Sequence, residues 1–98
     1  MTFQEKNEDI LNLLRVQFSE AENFESGRTG MRMTSDFFVR FDKQLLRLSI
    51  TDECYEDNEY EVIKDRVARE CITLMRENPN RRVVLFASLR TEVKDDSQ

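Results

Sequence analysis

Histidine and tryptophan are absent from this chain, and Gly27, Gly30 and Pro79 are its only glycines and proline in 98 residues. Without histidine there is no general base for a Cys–His or Ser–His nucleophilic pair, and no imidazole to complete a mixed zinc set around Cys54 and Cys71. Those two cysteines stand seventeen positions apart in no metal or redox motif, and they read as reduced thiols. So little glycine and proline leaves small scope for long irregular loops. No apolar run approaches the ~18 residues of a bilayer span, and no leader or lipidation motif is visible, so the expectation is a cytoplasmic protein without membrane contact.

What the chain does contain is aromatic and charged. Seven phenylalanines, 39% hydrophobic and 36% charged residues describe a compact domain, because a disordered chain lacks that aromatic content. A chain of 98 residues buries roughly 65% of its unfolded surface, enough for one core, so residues 1–98 are read as a single α+β domain. The net charge of −5 argues against direct binding of nucleic acid, which draws its affinity from a broad Lys/Arg surface.

Helical spacing runs through the opening segment, where Phe3, Asn7, Ile10, Leu11, Leu14, Phe18 and Ala21 recur at steps of three and four. Thr2 and Glu5 have the spacing of a capping box. After Phe24 the pattern breaks at Glu25, Ser26, Gly27, Arg28, Thr29 and Gly30, which reads as a loop. Met31 and Met33 alternate with Arg32 and Thr34 as a weak strand. Residues Asp36 to Thr51 read as a hairpin turning at Asp42, Lys43 and Gln44, and since the Asn-Gly pair of the tightest turns is missing, a loop of three or four residues is expected. Phe37, Val39, Phe41, Leu46, Leu48 and Ile50 fall on one face. Phe38, Arg40, Leu45 and Arg47 fall on the other.

A connection rich in carboxylates follows, with Asp57 or Asn58 expected to cap a second helix whose stripe is Tyr60, Ile63, Val67, Cys71 and Leu74, widened by Ala68, Ile72 and Met75. Asn78 and Pro79 stop it. Arg82 to Arg90 contains a continuous apolar run read as an interior strand, and the polar tail from about Thr91 is expected to fray. A strand, a long helix and a strand satisfy the length of a crossover, so the last strand is expected to run parallel to a hairpin strand. The expected architecture is α-β-β(-β)-α-β, a mixed sheet of three to four strands with two helices packed on one face.

The most distinctive feature is the acidic run: Asp52, Glu53, Glu56, Asp57, Glu59 and Glu61 put six carboxylates into ten residues. Any two of them could be named acid and base, and the spacing selects none, so no catalytic residue is assigned and an enzyme is not expected. Calcium is not expected either, because Cys54, Tyr55 and the missing central glycine break the EF-hand pattern. No cofactor or metal is implied. The functional expectation is a small acidic protein-binding module, an inhibitor or adaptor, that docks a nucleic-acid-like carboxylate surface on a basic partner protein, one that itself binds nucleic acid included. The expected contact residues are Asp52, Glu53, Glu56, Asp57 and Glu59, with Tyr55 as an aromatic anchor.

Two alternatives use the mixed sheet face. A homodimeric chaperone or structural protein would bury Phe38, Arg40, Leu45 and Arg47 against a second copy. The helix–sheet–helix order resembles that of small acidic dimeric secretion chaperones, which carry more strands and a further helix. An RNA- or DNA-binding domain would instead use a stripe of Arg28, Arg32, Arg40, Arg47, Arg81, Arg82 and Arg90, with Phe38 stacking a base. Helix, three-stranded meander and helix is similar to the order of double-stranded RNA-binding domains, although the lysine-rich helix start of that family is here Asn58, Glu59, Tyr60, Glu61.

Overall fold

The computed structural model describes residues 1–18, 24–28 and 34–95, with 24–28 described as backbone alone. The chain runs through helix α1 (Phe3–Gln17), strands β1 (Phe24–Arg28), β2 (Thr34–Phe41) and β3 (Gln44–Thr51), and a short helix α2 (Asp52–Asp57). Helix α3 (Tyr60–Arg66) then passes through a π-helical turn (Val67–Cys71) into α4 (Ile72–Glu77), followed by β4 (Arg81–Leu85) and β5 (Thr91–Asp95). The five strands lie side by side in sequence order. All neighbours are antiparallel except β3 and β4, which are parallel and joined through α2 to α4. The protein is therefore an α+β fold with a mixed sheet and its helices on one face, as the residue pattern implies.

That face holds the core. From the helices come Ile10, Leu14, Phe18, Ile63, Val67, Cys71 and Met75, and they meet Phe37, Val39, Leu46, Leu48, Ile50, Val83 and Leu85 of the sheet, all essentially without solvent contact. Each large apolar side chain so buried contributes roughly 1.5–3 kcal/mol. Helix α1 begins where the capping box requires: Thr2 Oγ1 accepts from the Glu5 amide at 3.1 Å, and Glu5 Oε1 accepts from the Thr2 amide at 2.8 Å. The π turn has a packing consequence. Its extra residue rotates the later stripe, so that the adjacent Cys71 and Ile72 are both buried and Met75 still faces the sheet.

Two segments depart from the sequence pattern. Of the segment Glu25 to Gly30, read as a loop, Glu25 to Arg28 belong with Phe24 to the edge strand β1, its backbone pairing with β2 from Phe24↔Val39 to Arg28↔Ser35. Glycine weakens a strand without forbidding it, and the hydrogen bonds of β2 supply what local propensity does not. Likewise the polar tail does not fray over its first five residues, because Thr91–Asp95 forms β5 on β4, with Val93 opposite Val83. An edge strand needs only one apolar face and gains from charge on the other, so a segment as polar as Thr91–Asp95 suits the position. With these two edge strands the mixed sheet has five strands among the described residues. Ala21 of the first stripe, the strand expected at Met31 and Met33, and the last three residues of the tail lie outside the described residues.

The hairpin turn is also tighter than expected. Phe41 pairs with Gln44, leaving the two-residue loop Asp42–Lys43, whose φ angles of 50° and 64° are both positive, as in a type I′ turn. Aspartate tolerates the left-handed region; lysine has no local compensation for its Cβ. Lys43→Gly is expected to stabilise the fold by about 1 kcal/mol, read as a higher urea midpoint with an unchanged slope.

Candidate functional site

The acidic segment is a helix. Thr51 Oγ1 accepts from the Cys54 amide at 3.1 Å and caps α2, whose first turn then carries Asp52 and Glu53 where carboxylates complement the positive pole. One face of α2 turns inward, so Cys54 and Tyr55 are fully buried and Asp52 is only 3% exposed. The Tyr55 hydroxyl donates to Asn7 Oδ1 of α1 at 2.9 Å, its ring lies 5.7 Å from that of Phe3, and Lys6 Nζ donates to its carbonyl at 3.0 Å. Tyr55 as a surface anchor is thereby corrected: its aromatic area is already spent on the core. Asp52 is likewise withdrawn from the accessible set. Read as a loop, the run is uniformly exposed, whereas the 3.6-residue helical period turns Asp52, Cys54 and Tyr55 inward and leaves Glu53, Glu56 and Asp57 outside.

Glu53, Glu56, Asp57 and Glu59 remain on the outside. Among the described residues none of these four is in an ion pair. Their scaffold is fixed beyond α2 as well, because Asn58 Nδ2 donates to Cys54 O at 3.1 Å and to Ala87 O at 2.7 Å, tying the junction of α2 and α3 to the turn after β4. The helix expected to follow the acidic run, α3, therefore begins at Tyr60, one or two residues later than an Asn58 or Asp57 cap implies, with Glu59 in the cap position making no side-chain bond.

The carboxylates of α1 serve different ends. Glu5 closes the capping box, and the Thr2 amide and hydroxyl hold its carboxyl below the usual range. Asp9 accepts from the Tyr60 hydroxyl at 2.5 Å and pairs with Lys64 at 3.0 Å, and the two together lower its pKa. Burial first, then the Asp9 hydrogen bond, pushes the Tyr60 phenol upward. Burial also raises the Cys54 thiol to about 11 and Cys71 to about 12, which leaves neither as a ready thiolate at neutral pH. No group of three or more acidic or cysteine ligands among the described residues is arranged to hold a metal ion, and none of their helices is long and apolar enough to cross a membrane.

On the sheet face away from the helices, Phe38 stands opposite Arg47 and Arg40 opposite Leu45, so the four residues expected there do meet as adjacent cross-strand pairs. Arg47 lies over Phe38, its guanidinium carbon 4.8 Å from the ring centroid, and approaches Asp36 Oδ2 at 3.5 Å. Asp36 is 1% exposed and also accepts from Ser49 Oγ at 2.5 Å and Thr34 Oγ1 at 3.2 Å. This buried polar ladder was missed in the sequence reading, although Thr34, Asp36, Phe38 and Arg40 do alternate. The proposed arginine stripe is divided: register sends Arg81 and Arg82 to opposite faces, and Arg81 and Arg90 are held by Asp95 at 3.1 Å and Glu92 at 2.8 Å. Arg32 and the side chain of Arg28 lie outside the described residues. Comparison with models of known families, with curated proteins and with solved structures gave no match.

Tyr55→Phe is expected to destabilise the protein by about 1–2 kcal/mol, since Asn7 Oδ1 loses its buried donor, measured by urea unfolding. In the folded protein neither cysteine is expected to react with a thiol reagent at pH 7; both react once the chain is unfolded.

Proposed function

We propose that this chain is a small acidic protein-binding module, an inhibitor or adaptor, that presents the outer face of α2 and the α2–α3 junction to a basic surface on a partner protein. One observation carries the reading: Glu53, Glu56, Asp57 and Glu59 are exposed and outside any ion pair among the described residues, on a segment whose inner side chains Cys54 and Tyr55 are fully buried. Carboxylates without an internal partner sacrifice no ion pair on docking, and a capped helix locked to the core keeps their spacing, which lowers the ordering cost of association. Clustered like charges also steer a cationic partner over distances of about a Debye length.

A binding role, not catalysis, fits the rest of the chemistry. Histidine is absent, both thiols are buried with raised pKa values, and no carboxylate pair is singled out as acid and base. A homodimer across Phe38, Arg40, Leu45 and Arg47 draws less support, because the exposed large apolar side chains among the described residues, Met1, Val16 and Val62, lie elsewhere.

Affinity capture from the native cell in the presence of nuclease is expected to retain a basic protein. The triple variant Glu53→Lys, Glu56→Lys, Asp57→Lys is expected to weaken that complex at least about tenfold, given up to ~1 kcal/mol for each exposed charge, while leaving the unfolding midpoint nearly unchanged. Equal retention by the triple variant would remove α2 as the docking surface.

A further inference from the structure

The sheet face away from the helices has a second feature, between β3, β4 and β5. It is a depression of about 410 Å³ whose walls separate into three chemistries. Thr34 and Thr51 line one side, with Ser49 fully buried between strands and its hydroxyl given to Asp36; Val84 and Phe86 supply apolar lining; Arg82 and Lys94 supply cations. The size falls within the ~300–1,000 Å³ of small-molecule sites, and an apolar surface with a few convergent polar groups is their usual lining.

The fold positions each part. Arg82 and Lys94 are direct register partners across β4 and β5, so their side chains rise from the same point of the sheet. Val84 is 4% exposed. The Phe86 ring is fixed where β4 ends, with Arg90 4.8 Å from its centroid and Lys94 at 5.5 Å, in a turn closed by Phe86 N donating to Arg90 O at 3.0 Å and Leu89 N donating to Phe86 O at 2.8 Å. Leu89 has a φ of 59° in this turn, a conformation that a branched residue adopts only where its surroundings impose it. Among the described side chains the carboxylates on this face are engaged: Asp36 with Ser49 and Arg47, Glu92 with Arg90 at 2.8 Å and Lys94 at 3.9 Å. In a chain of net charge −5, this depression is lined, among the described residues, by two cations and no carboxylate.

We propose that this depression is a binding site for a small aromatic anion of about mononucleotide size. Its phosphate or carboxylate lies between Arg82 and Lys94, and its ring lies on Phe86 and Val84. The site adjoins α2 at Thr51 but includes none of its exposed carboxylates, and it does not depend on the docking role proposed for them.

The test uses the full chain labelled with ¹⁵N, titrated with AMP and UMP as the phosphate arm, indole-3-acetate as the carboxylate arm and inorganic phosphate alone as the control for the ring. Saturable shifts confined to the amides of Thr34, Ser49, Thr51, Arg82 to Phe86 and Lys94 are expected for at least one aromatic probe below about 10 mM. Which arm binds more tightly identifies the head group. Lys94→Glu, at a half-exposed edge position, is expected to weaken binding at least about tenfold by losing a charge-assisted contact, and Phe86→Ala about fivefold or more by losing the ring contact. The triple α2 variant is expected to bind the probe as the wild type does, so the two proposals fail independently. Absence of localised shifts, equal affinity for inorganic phosphate alone, or indifference to Lys94→Glu in a folded variant would each overturn the proposal. So would tighter binding of a single-stranded RNA whose shifts extend over Phe38 and Arg40, which would make the face a nucleic-acid platform.

Discussion

A buried hydrogen bond between two helices governs how the acidic surface is presented. The Tyr55 hydroxyl reaches Asn7 Oδ1 at 2.9 Å in a region closed to solvent, and Lys6 seals the contact from above by donating to the Tyr55 carbonyl. In such a setting each polar partner is costly to leave alone, so the pair sets the position of α2 against α1 more narrowly than apolar packing would. The outer carboxylates of α2 inherit that position. A polar residue in the middle of an apolar helical stripe is thus explained: Asn7 faces inward because a tyrosine from the next helical layer needs an acceptor there.

The two faces of the sheet divide the molecule's work. One is sealed by helices and filled with Phe37, Val39, Leu46, Leu48, Ile50, Val83 and Leu85. The other carries the Thr34–Asp36–Ser49 ladder, the Arg47–Phe38 stack and the cationic depression. Parallel pairing of β3 with β4 links them, since the crossover through α2 to α4 covers the first face and brings Arg82 beside Arg47 and Val84 beside Ser49 on the second. The acidic helix and the depression meet at Thr51, which caps α2 and also lines the depression.

Much of the fold was legible in the residue pattern because burial on one face repeats with a simple period. The stripe from Phe3 to Phe18, the alternation from Phe37 to Ile50 and the apolar run Val83–Leu85 each announce an element and its buried side. The edge strands were not legible, because β1 contains a glycine and β5 is polar, and both exist through pairing with an inner strand and not through their own composition. The turn Asp42–Lys43 was misread for a related reason: hairpin register overrides the steric preference of lysine. In the candidate site, Glu53, Glu56, Asp57 and Glu59 were recognisable as surface charge, while Tyr55 and Asp52 were not separable from them without knowing that the segment is helical.

Taken alone, the amino-acid order determined the helix stripes, the inner strands, the α+β class, the excess of negative charge and the absence of imidazole chemistry, since all of these depend on local period or on residue type. Tertiary structure decided which acidic residues reach solvent, that the polar ends join the sheet, and that Arg82, Lys94 and Phe86 share a depression with Thr34, Ser49 and Thr51. Those outcomes depend on contacts between residues tens of positions apart, and strand register and helix packing create such contacts without leaving a periodic trace in any one segment.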